Sequence, residues 1–399
     1  VSRIRVLHIH HGRVLGGAPI SLSRLIEHLP KDRFESHVVV PGSGPAADYF
    51  RARGIVLHEL ALSAWYYLAH QPRVKLSTRL KHGVMSPITR RALSRLIDQV
   101  RPDLIHLNCA LLPVPAGVAR ARGVPFVFHI REVVPDNDPR ARDYLVEASR
   151  PAAARVAISE AAARPFRVAG DVRVIHEGVD PGEWHRPELR EPSRAALGLN
   201  AADIVVLYPA GLGRHKGQME FLDALPAARA REPRLVVLFA GGEVEGGRLP
   251  ALMNHAERLG LYRTGSETNP VRWLGWRSDL PALLAAADLA AFLPTAPEGF
   301  GLPLVESMAA GKAIVAPDDS TGREIVEDGV TGRCIPAGDA RTLADALVEL
   351  AGDAALRDRL GHAARGVVAE RFTIEGMSQA FIEVFESAVR SGPAGGSRP

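Results

Sequence analysis

The stretch DIVVLYPAGLGRHKGQMEFLDALPAARAREPRLVVLFAGG, residues 203–242, decides the fold. Two short apolar runs rich in β-branched residues, at 203–211 and 234–242, enclose a segment with helical character at 218–230. A strand, a crossover helix and a second strand make a βαβ unit, and such units build parallel sheets. The first loop sets Gly213, Arg214, Lys216 and Gly217 between a strand end and a helix start. Open parallel sheets bind ligands at that place.

The pattern continues in both directions. Downstream, VRWLG (271–275), LAAFLP (289–294) and KAIVAP (312–317) read as strands, with a helix at 281–287 between the first two. Upstream, RIRVLHI (3–9), SHVVV (36–40), DLIHL (103–107), PFVFHI (125–130), RVAIS (155–159) and VRVIHEG (172–178) form a separate strand series. Helical patterns at 339–351, 354–369 and 373–390 close the chain without a further strand. At 399 residues the chain exceeds what one core usually fills, so two domains are expected. The Pro-, Gly- and charge-rich stretch 176–194 marks the division. We expect an α/β protein with a first Rossmann-like domain at 1–180, a linker at 181–202 and a second Rossmann-like domain at 203–371. A C-terminal helix at 372–390 packing back on the first domain and a disordered tail at 391–399 complete the expectation. Two such sheets facing one another would leave an interdomain cleft at their strand ends.

Composition narrows the function. Hydrophobic residues make up 46% and charged residues 24%, an ordinary globular balance that argues against extensive disorder. No apolar run approaches a membrane span, and residues 1–29 read as strand, turn and amphipathic helix rather than a cleaved signal, so a cytoplasmic location is expected. Cys109 and Cys334 lie far apart with no CxxC spacing and read as small buried residues. The net charge is only +4, yet residues 73–101 hold eight cations, among them Arg73, Lys75, Arg79 and Lys81, against Asp98 alone. With Trp65, Tyr66 and Tyr67 just before it, this segment reads either as a lipid- or acceptor-facing surface or as a solvated helix beside an aromatic cluster. No nucleic-acid motif accompanies it.

Three loops after strands carry the chemistry. At 8–29, Gly16 and Gly17 precede a helix starting near Ala18, where backbone amides can approach an anion. A tight turn without a ligand explains the same glycines, because neither GxGxxG nor a Walker motif is present. At 209–224, Arg214 and Lys216 add cations suited to a diphosphate. Charge-assisted hydrogen bonds are worth ~1.5–3 kcal/mol each, against ~0.3–1 kcal/mol for a helix end. The third loop, TAPEGFGLPLVES (295–307), leaves Glu298 on a glycine turn and puts Glu306 about one turn into a helix starting near Leu302. A carboxylate accepts two hydroxyl hydrogen bonds at once, so the acids suit the diols of a sugar and a ribose. The amides of Phe300, Gly301 and Leu302 suit charged oxygens.

The acid pair in EGFGLPLVESMAAGKAIVA resembles the Glu, seven residues, Glu motif of retaining glycosyltransferases of family 4, which have the two-domain GT-B fold. GGAPISLSRL resembles that family's N-terminal glycine turn and HKGQMEFLDAL its donor-phosphate lysine region. WLGWRSDLPALLAAADLAAFLP and GREIVEDGVTGRCIPAGDARTLADAL resemble the segments on either side of the acid pair, whereas 45–100 matches loosely. The resemblance implies that Lys216 binds the donor diphosphate, Glu306 the ribose and Glu298 a sugar hydroxyl. It implies that His129 lies near the reacting sugar, that Gly17 approaches the phosphate, and that the first domain holds the acceptor. Leu212 follows Gly211 where the family has Arg, so Arg214 stands in only from a shifted position. The expected activity is metal-independent, retaining hexosyl transfer from a nucleotide diphosphate sugar, UDP-sugar before GDP-sugar, to a small-molecule or lipid-linked acceptor in bacterial glycan or natural-product biosynthesis. The donor is a co-substrate, and no cofactor, metal or nucleic acid is expected. Peripheral membrane contact, on the inner face, would run through 65–101.

Rival readings are a nucleotide-sugar epimerase of similar architecture and a noncatalytic nucleotide-sugar-binding protein. His8, His10, His11, His106 and His129 crowd strand ends without a fixed carboxylate or cysteine partner, which suits backbone hydrogen bonding better than a metal. Asp136 and Asp138 in PDND read as a turn before they read as a chelate.

Overall fold

The computed structural model describes residues 3–65, 74–244, 246–266 and 268–392. The chain divides into two compact units, one formed by Val1–Gly178 with Ile374–Pro399 and the other by Val179–Thr373.

The first unit holds a seven-stranded sheet built from β1 (Ile4–Ile9), β2 (Phe34–Val40), β3 (Val56–Glu59), β4 (Leu104–Leu107), β5 (Phe126–Ile130), β6 (Ala154–Ala157) and β7 (Arg173–Val174). All pairings are parallel, in the order β3-β2-β1-β4-β5-β6-β7. The order reverses direction between β1 and β4, so the loops after these strands diverge and leave a crevice at the sheet's carboxyl edge. On one face Val6, Leu104, Val127 and Val156 pack with Phe381 and Phe385 of the last helix, Ile374–Ser391. On the other, Val38 and Val40 pack with Phe50 of the helix Pro45–Arg51.

The second unit repeats the plan with β8 (Ile204–Pro209), β9 (Leu235–Ala240), β10 (Val271–Gly275), β11 (Leu289–Ala291), β12 (Ala313–Pro317) and β13 (Gly332–Ile335). They pair in parallel in the order β10-β9-β8-β11-β12-β13, with the reversal between β8 and β11. Residues 181–202, expected as a linker, are folded: short helices at Pro181–Trp184 and Arg190–Ala196 belong to this unit. The buried Arg194 anchors the second of them by donating to the carbonyls of Ala286, Asn200 and Asp203.

β3 and β13 were not expected from the sequence. Both are four-residue edge strands, VLHE and GRCI, without the apolar run that identifies a central strand. The other strands fall where the sequence places them. The helix Leu76–Val100 spans most of the basic segment and tolerates Pro87 in its interior. Arg73, Tyr66, Tyr67 and most of the tail 391–399 lie outside the described residues.

Candidate active site

Three tertiary contacts fix the loops after β8 and β11 against one another. Tyr208, near the end of β8, is fully buried, and its hydroxyl donates to the Lys216 carbonyl at 2.6 Å while accepting from the Leu293 amide at 2.9 Å. The Thr295 amide donates to the His215 carbonyl at 2.9 Å. Lys216 Nζ donates to Glu298 Oε1 at 2.7 Å, with the His215 ring 3.9 Å from the same oxygen. Burial pushes the Tyr208 phenol up, so it is a neutral strut.

Glycine makes this closeness possible. Gly217 has φ 75° at the start of the helix Gln218–Arg231, and a Cβ there would lie 1.7 Å from the Leu293 carbonyl oxygen. Gly301, with φ 83°, begins the helix Leu302–Ala309 in the same left-handed conformation. Two helices thus start at left-handed glycines on neighbouring loops, although in the second Pro303 carries no N–H and the Leu304 amide donates to the Gly301 carbonyl at 2.8 Å.

The expected site residues of the second unit fall at this edge. Arg214 and Lys216 occupy a short 3-10 turn, and Gly213 leads into it with extended backbone. Glu298 is held from behind by Thr321, whose hydroxyl donates to the Glu298 carbonyl at 2.9 Å. Glu306 is buried on the helix that Gly301 starts. Phe300 turns its ring inward against Phe372, centroids 5.7 Å apart, so its side chain is closed to a ligand.

The remaining expected residues belong to the first unit. Gly16 is extended and a Cβ there would meet nothing within 4 Å, so neither conformation nor packing demands glycine at this position. Gly17 opens the helix Gly17–His28. His129, on β5, is 2% exposed and stacks on His106 with ring centroids 5.3 Å apart. Burial, then Arg131, holds its imidazole well below the usual range, so it is neutral.

The expectation that the strand-end histidines have no carboxylate or cysteine neighbour fails at His11, and other neighbours carry no local signal in the sequence. His11, Cys109 and Glu132, from the loops after β1, β4 and β5, place possible metal-ligand atoms within 4.8 Å of one another. Glu132 accepts from the amides of Ala110 and Arg131, and the Cys109 thiol, hydrogen-bonded to Glu132, is pushed up by burial. Arg131 forms a buried ion pair with Glu177 at 2.6 Å, and Ser21 donates to the same carboxylate. A cleft of about 560 Å³ in this unit is lined by His11, Arg13, Ser63, Lys81, His82 and Met85. Asp138 caps the helix Pro139–Ser149 and Asp136 pairs with Arg142, which makes PDND a turn and a cap.

Two α/β units with parallel sheets, each with a glycine-bearing loop and a helix start after the first strand of its sheet, follow the plan of the GT-B class. The comparisons agree. The profile of the family described as Glycosyl transferases group 1 matches residues 190–367, and that of Glycosyltransferase Family 4 matches residues 15–183. A D-inositol 3-phosphate glycosyltransferase of Saccharomonospora viridis is 31% identical over 312 residues, covering 72% of this chain and 70% of the relative. A phosphatidyl-myo-inositol mannosyltransferase of Mycobacterium leprae is 33% identical over 188 residues, 45% of this chain and 46% of the relative. Anabaena HepE, solved with UDP and glucose, superposes with a TM-score of 0.80 at 25% identity, covering 96% of this chain and 100% of HepE. The chain belongs to the group 1, family 4 glycosyltransferases.

Proposed function

We propose that the protein transfers a hexosyl group, with retention and without a metal, from a nucleotide diphosphate sugar to an acceptor hydroxyl. UDP-sugar is the favoured donor, supported by the UDP and glucose bound to HepE, and GDP-sugar is the second choice. The observation that carries the reading is the Lys216–Glu298 contact at the β8/β11 switch point. It sets a cation for the diphosphate beside a carboxylate for the sugar.

As the bond from the anomeric carbon to phosphate breaks, charge grows on the leaving oxygen and the sugar becomes oxocarbenium-like. Lys216, Arg214 and the amides of the first helical turns stabilise the departing diphosphate. The acceptor oxygen bonds to the same face of the anomeric carbon, and its proton passes to the leaving phosphate oxygen. Glu306 holds the ribose and Glu298 a sugar hydroxyl. In the first unit, Gly16 and Gly17 leave room for phosphate and His129 serves the sugar.

The acceptor is anionic or lipid-linked. Arg13 and Lys81 line the 560 Å³ cleft, with no acid among the described lining residues. The helix Leu76–Val100 exposes Leu76, Leu80, Val84 and Ile88 at a spacing of four, 71%, 63%, 67% and 48% accessible, beside the exposed Lys75, Arg79 and Lys81. An apolar stripe flanked by cations suits the interface of an anionic bilayer. Among the described residues, no helix is long and apolar enough to cross a membrane.

The test is a panel of UDP-, GDP-, ADP- and dTDP-sugars in excess EDTA. Thermal stabilisation by one nucleoside diphosphate, with donor consumed only when an acceptor is added, is the expected result. Conversion of the donor to a stereoisomer without an acceptor would establish an epimerase instead.

A further inference from the structure

Three histidines on neighbouring strands touch in series. His8 on β1, His106 on β4 and His129 on β5 project from the same face of the sheet, with His8 and His106 in direct register. His129 Nδ1 lies 3.2 Å from His106 Nε2, His106 Nδ1 lies 2.9 Å from His8 Nδ1, and His8 Nε2 lies 3.2 Å from Ser36 Oγ on β2. The rings are 0%, 0% and 2% exposed, sealed by Phe381 and Phe385 with centroid distances of 5.0–6.0 Å. His129 Nε2, at the end of the series, is buried and has no hydrogen-bond partner among the described residues.

A neutral imidazole carries one proton, so three of them in a chain have only two coherent arrangements. Either every proton points from Ser36 toward His129, or every proton points back. Ser36 Oγ, part-buried on β2, bonds His8 at the head of the series and donates in the first arrangement but accepts in the second.

We propose that Ser36, His8 and His106 are positioning residues that fix His129 as the Nε2–H tautomer, an uncharged donor held for an oxygen of the sugar donor. Ser36 donates to His8 Nε2, His8 Nδ1 donates to His106 Nδ1, and His106 Nε2 donates to His129 Nδ1. The outer nitrogen of His129 then carries the proton. Burial lowers all three rings below their usual range, so the chain stays neutral at physiological pH. The role assigned to the sugar rests on the proposed transferase reading, but the tautomers do not.

Long-range proton–nitrogen NMR on the full chain with labelled histidine tests the relay, because protonated and bare ring nitrogens resonate apart. The expected set is one Nδ1–H tautomer, His8, and two Nε2–H tautomers, His106 and His129. Ser36→Ala shifts the His129 ring nitrogens from three strands away. The reverse set, or a His129 spectrum indifferent to Ser36→Ala, overturns the proposal. In turnover, Ser36→Ala and His106→Phe lower kcat about tenfold, the cost of one net hydrogen bond, with donor KM within about twofold. A loss of stability with kcat unchanged would make the histidines structural only and would also overturn it. If the wild type transfers no sugar from any donor, the transferase reading fails and the spectra still decide the relay.

Discussion

Lys216 Nζ and Glu298 Oε1, separated by 82 residues, meet at 2.7 Å with each side chain 20% exposed. The pair closes a short circuit between two loops, and on the proposed reading a diphosphate shares the cation with the carboxylate. Lys216→Ala removes the charge that counts most as the diphosphate leaves. Single-turnover measurements at saturating donor should show a loss of ~3–4 kcal/mol of transition-state stabilisation with the fold intact. Near-normal turnover would take Lys216 out of the mechanism.

The two acids separate by partner. Glu298→Gln releases Lys216, so free UDP affinity is retained or strengthened while use of the complete sugar donor falls. Glu306→Gln weakens the free nucleotide itself. Calorimetry with UDP and with UDP-sugar distinguishes them, and equal losses of UDP affinity in both variants would contradict the division.

Gly217→Ala drives a Cβ into the Leu293 carbonyl and strains a left-handed φ, both at the junction of the loops after β8 and β11. Equilibrium denaturation should show a loss of at least ~2 kcal/mol, together with weaker nucleotide binding. Gly16→Ala meets no neighbour and should leave stability within ~0.5 kcal/mol.

Stability should fall on mild acidification. Burial holds His8 at about 3, and His106 and His129 well below 6.5. The unfolded chain therefore takes up protons that the folded chain refuses. The contribution is fully present above pH 6.5 and is lost as the pH drops toward the folded values, by up to ~1.4 kcal/mol per pH unit for each ring. Urea melts between pH 7.5 and 5.5 measure the slope, which His106→Phe should reduce. A flat profile would contradict neutral burial.

Sedimentation with anionic vesicles tests the stripe on Leu76–Val100. The wild type should bind at low salt and release as salt screens the cations. Lys75→Ser with Lys81→Ser should weaken binding by about 1 kcal/mol per cation, and Leu80→Asp with Val84→Asp should abolish it. Failure of the wild type to bind would leave a freely diffusing anion as the acceptor.

The sequence by itself determined the βαβ alternation, because buried parallel strands require unbroken β-branched runs and crossover helices require their own period. VVLYP, VVLF and AIVAP announce themselves, whereas VLHE and GRCI do not, since an edge strand buries too little to need apolar residues. The glycine turns before Gln218 and Leu302 were legible because a left-handed backbone admits few other residues. Only the tertiary structure brought Lys216 to Glu298, since the contact depends on β8 and β11 being neighbours although β9 and β10 intervene in sequence. Nothing in the strand pattern distinguishes Tyr208, whose hydroxyl bridges both loops only in the folded chain. His8, His106 and His129 read as isolated strand-end histidines, yet strand order and register place them in contact. Pairing between strands about a hundred residues apart is a property of the sheet, and no local pattern in the chain encodes it.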